Sequence, residues 1–112
     1  MHEISIAQSI VELAEDVAMK EKADSIKSIN IEIGALSGVV QDALEFALEI
    51  IVKNTKLEKA KINYVKINGK ADCRNCNFRF ETDNLLALCP KCNHANFNII
   101  DGKQLRIKSL IV

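Results

Sequence analysis

At 112 residues the chain is the size of one ordinary domain, or of a compact core with a small satellite. Its 48% apolar and 27% charged residues exclude a disordered chain, and fifteen basic against fifteen acidic side chains exclude the net positive face that general nucleic-acid or anionic-membrane binding requires. No stretch approaches the ~20 apolar residues of a membrane span, and the acidic start is unlike a signal peptide, so a cytoplasmic protein is expected.

The chain opens Met1-His2-Glu3. Ser5 followed by Gln8 has the form of a capping box, and Ile6, Ile10, Leu13, Ala14 and Val17 recur at helical spacing, which predicts a helix from about Ile6 to about Lys22. "SINIEIG" alternates Ile29, Ile31 and Ile33 with Asn30 and Glu32 and reads as a half-buried strand closed by Gly34. The loop "GALSGV" follows; it lacks the lysine and hydroxyl residue of a phosphate-binding loop. From Val39 to about Thr55 a second helix is predicted, with Leu44, Ala47, Leu48 and Ile51 on one face. Asp42, Glu45, Glu49 and Lys53 mark the opposite, solvated face. "KINYVKIN", ending at Gly69, and the closing "QLRIKSLIV" are strand-like. The expectation is an α+β fold: a small three-stranded sheet with two helices built from residues 1–69 and 97–112, interrupted by an inserted zinc-ribbon-like module at 70–96.

That insert holds all four cysteines, Cys73, Cys76, Cys89 and Cys92, as two C-x-x-C knuckles separated by twelve residues. In a reducing compartment this spacing reads as a tetrahedral four-thiolate site, with zinc the first choice and a structural role, because four sulfurs leave no open position for catalysis. Asn77 and Asn93 follow the second cysteine of each knuckle and suit a left-handed turn that aims amide groups at the thiolates. A rubredoxin-like iron site is the weaker alternative, given only four Phe and one Tyr. His94 is an alternative ligand by position, although an exposed loop histidine is the simpler reading. With two histidines in all and every cysteine claimed, no nucleophile set remains and an enzyme is not expected.

At the other end, a terminal amine, the next backbone nitrogens and the His2 imidazole can close fused chelate rings in a square plane, the geometry of Ni(II) and Cu(II) rather than zinc. Taken alone, this signal is weak.

"MHE" at the start, "IEIGALSGV", "ALEFALE", the paired "CRNC" and "CPKC", and "LRIKSLIV" occur in order over essentially the whole chain. Together they resemble the HypA/HybF family of hydrogenase maturation factors, the hydrogenase nickel incorporation proteins. The resemblance implies that His2 is the essential nickel ligand, that the Met1 amine and the amides of His2 and Glu3 complete the site, and that Cys73, Cys76, Cys89 and Cys92 bind structural zinc. It also implies a metallochaperone that delivers Ni(II) to the large-subunit precursor of [NiFe]-hydrogenase with the GTPase HypB; some members also feed urease. The competing reading is a zinc-ribbon adaptor for protein or nucleic acid, which has no use for His2.

Overall fold

The computed structural model describes residues 3–112. Among them α1 spans Glu3–Lys20, β1 Ser28–Gly34, α2 Gln41–Ile51, β2 Lys61–Ile67, β3 Lys70–Cys73, β4 Arg79–Glu81, β5 Phe97–Asp101 and β6 Leu105–Ile111. The helices and the strands β2-β1-β6 are those the sequence pattern predicts. A second three-stranded sheet, β4-β3-β5, carries the cysteine knuckles. No helix among the described residues is long and apolar enough to cross a membrane.

The chain packs as two compact units: residues up to Ile31 with Val40–Val65 and Arg106–Val112, and Glu32–Val39 with Lys66–Leu105. In the first, α1 begins earlier than its capping-box pattern suggests. Ser5 is inside the first turn, where its carbonyl accepts from Ser9 Oγ at 3.1 Å, and it is not the cap. The buried face of α1 is also rotated from the predicted one. Ala7, Val11, Ala14 and Ala18 are inside with Ile6 and Ile10, while Leu13 and Val17 are exposed. Three alanines along that face keep it narrow where α1 packs on α2. The helix closes in a Schellman turn: Lys22 adopts φ 55°, its N–H donates to Met19 O at 3.0 Å, and Ala23 N–H donates to Ala18 O at 2.9 Å.

α2 is shorter than predicted at both ends. Val40 is extended with no side-chain cap, and beyond Ile51 the chain turns through Asn54 at φ 65° while Thr55 Oγ1 donates back to Val52 O at 2.6 Å. Leu44, Ala47 and Leu48 are buried as the apolar stripe requires.

Hydrogen bonds from Lys61 N–H to Lys27 O and from Ala35 N–H to Ile67 O run β2 parallel to β1, whereas Lys27 N–H to Ile111 O and Gly34 N–H to Gln104 O set β6 antiparallel. A polar row fixes the register: Asn63 Nδ2 donates to Asn30 Oδ1 at 3.0 Å and Asn30 Nδ2 to Ser109 Oγ at 2.9 Å. β1 keeps the predicted alternation through Ile31, with Ser28 and Asn30 partly exposed, and is buried on both faces only from there to Gly34. Glu32, predicted as a solvent-facing residue, is only 5% exposed.

Within the second unit, the loop after β1 is strapped to the segments flanking the cysteine sheet. Leu36 N–H donates to Gly102 O at 2.8 Å, and a Cβ at Gly34 would run into that same carbonyl oxygen. Gly102, at φ 100°, takes a conformation other residues rarely adopt, and the side chains of Asp101 and Gln104 both accept from its N–H at 2.9 Å.

Candidate metal centre

β3 pairs antiparallel with both β4 and β5, matching Ala71 with Phe80 and Cys73 with Phe97. This register places Cys73 at the end of the central strand, beside a small apolar cluster of Ala71, Phe80 and Cys89, with Cys76, Cys92 and Phe97 packed against it. Phe80 and Phe97 meet edge to face, ring centres 5.6 Å apart. Across β3 and β4 the exposed Asp72–Arg79 pair is bidentate, at 2.9 and 3.3 Å, and the guanidinium holds the Asp72 carboxyl below its usual range.

The four sulfurs converge. All lie within 4.8 Å of one another, with Cys73 Sγ 3.4 Å from Cys92 Sγ and Cys76 Sγ 3.6 Å from Cys89 Sγ. A disulfide needs ~2.05 Å, and all four cysteines are free. Four sulfurs each ~2.3 Å from one zinc ion stand ~3.8 Å apart, so the cluster has the size of a zinc tetrahedron.

The local backbone explains the convergence. Asn77 and Asn93 adopt φ 62° and 65°, the left-handed turn that the C-x-x-C-Asn pattern predicts. Asn75 N–H then donates to Cys73 Sγ at 3.4 Å, and the backbone N–H groups of Phe78, Lys91 and His94 reach Cys76, Cys89 and Cys92. Cys92 is pushed down to about 6 by the Asn75 side chain and the His94 amide. Cys76 is pushed up to about 12: the Phe78 amide, its largest single influence, lowers it, but burial and the three neighbouring thiols prevail. Sulfurs this close share protons unless a cation neutralises them. A divalent ion supplies that charge, and the donor set fits zinc, which when bound holds the two knuckles together.

His94 does not join the sulfur cluster; its role is backbone, its carbonyl accepting from Cys89 N–H at 2.8 Å. The expectation of too few aromatics for an iron site did not anticipate Phe80 and Phe97 beside the cysteines, for which "FRF" two residues past Cys76 was the available signal.

Of the predicted nickel ligands, Met1 and His2 lie outside the described residues. Glu3 is half-buried in the first turn of α1. It lines an apolar groove of about 400 Å³ between α1 and α2, together with Ile4, Phe46 and Ile50, which are 60%, 65% and 52% exposed.

The sequence profile described as hydrogenase/urease nickel incorporation, metallochaperone, hypA matches residues 1–112, the whole chain. This chain belongs to the HypA family. The family is one of metallochaperones for nickel incorporation and not of enzymes. The hydrogenase maturation factor HypA of Parabacteroides distasonis is 44% identical over all of this chain and 97% of its own length, and that of Geobacter metallireducens is 37% identical over all of this chain and 99% of its own. The fold matches the solution structure of the Ni metallochaperone HypA from Helicobacter pylori with TM-score 0.69 and 26% identity, covering 99% of this chain and 97% of that one. A second HypA solution structure matches with TM-score 0.70 and 27% identity, over 99% of this chain and 95% of that one. HypA-family membership identifies nickel as cargo, and the four-cysteine cluster fits structural zinc.

Proposed function

We propose that this chain binds Ni(II) at Met1, His2 and Glu3 and passes it, in the cytoplasm, to the GTPase HypB and the large-subunit precursor of [NiFe]-hydrogenase, with urease maturation proteins as a second destination. The observation that carries this reading is the family match along the whole chain, Met-His-Glu included. Residues 70–96 serve as the zinc-binding insert, its sheet completed by β5 at Phe97–Asp101, and the nickel-binding domain is drawn from 1–69 and the rest of 97–112. Four free cysteines at metal-ligand spacing suit a reducing cytoplasm.

The chemistry of the start supports nickel. Glu3 is the first residue of α1, and the first four amides of a helix have no acceptor within it, so the Glu3 nitrogen can give up its proton and bind a metal without breaking a helical bond. The Met1 amine, the His2 amide and the His2 imidazole complete a four-nitrogen square plane, which Ni(II) accepts and zinc does not favour. Exposed apolar side chains at Ile4, Phe46 and Ile50 beside Glu3 suit the approach of a maturation partner.

Nickel titration of the untagged protein, its Met1 start verified by intact mass, tests the reading beside His2→Ala and a variant with one residue added before Met1. The native chain should take up one nickel with a square-planar absorption spectrum that both variants lack. Affinity should fall as pH drops from ~8 to ~6, where protons claim first the amine and then the imidazole. An unchanged spectrum and stoichiometry in both variants would overturn the site.

A further inference from the structure

Burial divides each knuckle in the same way. The first cysteine is inside, Cys73 and Cys89 each being 1% exposed, and the second, Cys76 or Cys92, is partly open to solvent. Backbone hydrogen bonds that need no metal grip the inner member. Cys73 N–H donates to Phe78 O and Cys73 O accepts from Asn77 N–H, both at 2.9 Å; Cys89 N–H donates to His94 O and Cys89 O accepts from Asn93 N–H, both at 2.8 Å.

The sulfur contacts cross this division. The open Cys92 Sγ is 3.4 Å from the buried Cys73 Sγ, and the open Cys76 Sγ is 3.6 Å from the buried Cys89 Sγ. Each open sulfur therefore faces the buried sulfur of the opposite knuckle, the arrangement of an accessible cysteine beside a resolving one. The two contacts share no cysteine, so both can become bonds in one molecule. Closing either to the ~2.05 Å of a disulfide asks for an approach of about 1.5 Å, within reach of side-chain rotation.

We propose that the cluster is a peroxide-sensitive switch in which the knuckles exchange their zinc link for two disulfides, Cys73–Cys92 and Cys76–Cys89. The switch rests on the zinc reading of the four cysteines. An open thiolate attacks a hydroperoxide; its sulfur takes one oxygen as the O–O bond breaks, and with hydrogen peroxide the leaving group is hydroxide and the product a sulfenic acid. The buried thiolate opposite attacks that sulfur, an S–S bond forms and a second hydroxide leaves. With the same two steps at the other pair, four thiolates give four electrons to two peroxides, yielding two disulfides, four hydroxides and free Zn2+, because only the thiolate form of cysteine holds the metal. Bonds within each C-x-x-C would leave the knuckles unconnected. Bonds across them join the end of β3 to the second knuckle as the metal does, so β3, β4 and β5 stay folded without zinc.

The full-length native chain, its zinc content first measured by elemental analysis, is treated with hydrogen peroxide, alkylated to block remaining thiols and digested with trypsin. Lys70, Arg74, Arg79, Lys91 and Lys103 bracket the cysteines so that each falls in its own peptide, and mass spectrometry reads the pairing directly. Peptides joined as Cys73 with Cys92 and Cys76 with Cys89 should predominate, with two peroxides consumed for each zinc released to a chromophoric chelator. Amide resonances of β3, β4 and β5 should stay dispersed, and a thiol reductant with zinc should restore the starting state. A dione that traps sulfenic acids, present during a brief exposure, should label Cys76 and Cys92 ahead of Cys73 and Cys89. Pairing within the knuckles, zinc loss to sulfinic acids without disulfides, first labelling at Cys73 or Cys89, or collapse of the β3–β5 resonances once the cross-knuckle bonds have formed would each overturn the proposal. A chain that holds no zinc before peroxide is added would instead overturn the four-thiolate zinc reading, whatever the pairing.

Discussion

Removing the zinc with a strong chelator, cysteines kept reduced, should unfold β3, β4 and β5 and leave α1 and α2 helical. The apolar cluster of that sheet has only two buried side chains that are not cysteines, Ala71 at 0% exposure and Phe80 at 8%. Burying the phenylalanine contributes about 3 kcal/mol at most, whereas a structural four-ligand zinc contributes about 10 kcal/mol or more. A loss of that size rivals the whole stability of an ordinary domain, about 5–15 kcal/mol. The emptied site adds repulsion, because sulfurs 3.4 and 3.6 Å apart cannot all remain thiolates. The helical unit has its own interior, with Ile29, Ile31, Leu44 and Leu48 all under 2% exposed, and does not draw on the metal. Amide NMR reads both outcomes at once: resonances of residues 70–101 should collapse to random-coil positions while those of α1 and α2 hold, and added zinc should restore them. Cys73→Ser should reproduce the collapse without a chelator. Native dispersion for β3–β5 in protein with no zinc by elemental analysis would refute the reasoning.

The Schellman turn gives a stability test that leaves both metals alone: Lys22→Gly relieves the left-handed strain at φ 55° and should raise the unfolding free energy by up to about 1 kcal/mol in urea melts. Tyr64, the only tyrosine in a chain without tryptophan, can be followed by alkaline absorbance, and its midpoint should lie at about 12 rather than 10.0, because burial and then Glu45 and Glu49 disfavour the phenolate. The folded chain then holds a proton that the unfolded chain has lost, so stability should be intact below pH 10 and fall as pH rises towards 12; Glu45→Gln with Glu49→Gln should bring the midpoint down.

What could be read before the fold was known follows from which forces are local. The strand "SINIEIG" carries its period in consecutive residues, and its bounds in the structure are those of the motif, Ser28–Gly34. The knuckles were legible because metal geometry fixes ligand spacing, and an asparagine in the left-handed region is a one-residue property. Burial was less legible. Leu13 and Val17 fit the periodic pattern as well as Ala7 and Ala18 do, and which side faces inward is set by how closely α1 approaches α2, a distance that small residues decide. Glu32 was misplaced for a similar reason, since alternation describes a strand with one covered face and cannot show where other parts of the chain cover the second. β5 was missed because "FNIID" becomes a strand through pairing with β3, more than twenty residues earlier in the chain.

A protein that carries one metal as cargo and holds another as structure has to keep the two from exchanging roles, and the geometry of the zinc site explains how it does so. Cys73 and Cys89 are each 1% exposed, and four thiolates would fill the tetrahedral shell of a bound zinc, leaving no position where an acceptor could enter before a ligand leaves. Releasing that ion would remove what orders β3–β5, so every delivery would unfold part of the carrier. Cargo therefore belongs at a site whose emptying leaves the fold unchanged. The start of α1, where the nickel site is proposed, satisfies this condition, because the amide of Glu3 serves no bond within the helix and the side chains beside it, Ile4 and Phe46, are exposed. Nickel held at the proposed site would leave as the amine, the imidazole and the two ligating amide nitrogens take up protons, while α1, α2 and the zinc sheet stay as they are, which is what repeated loading and delivery require.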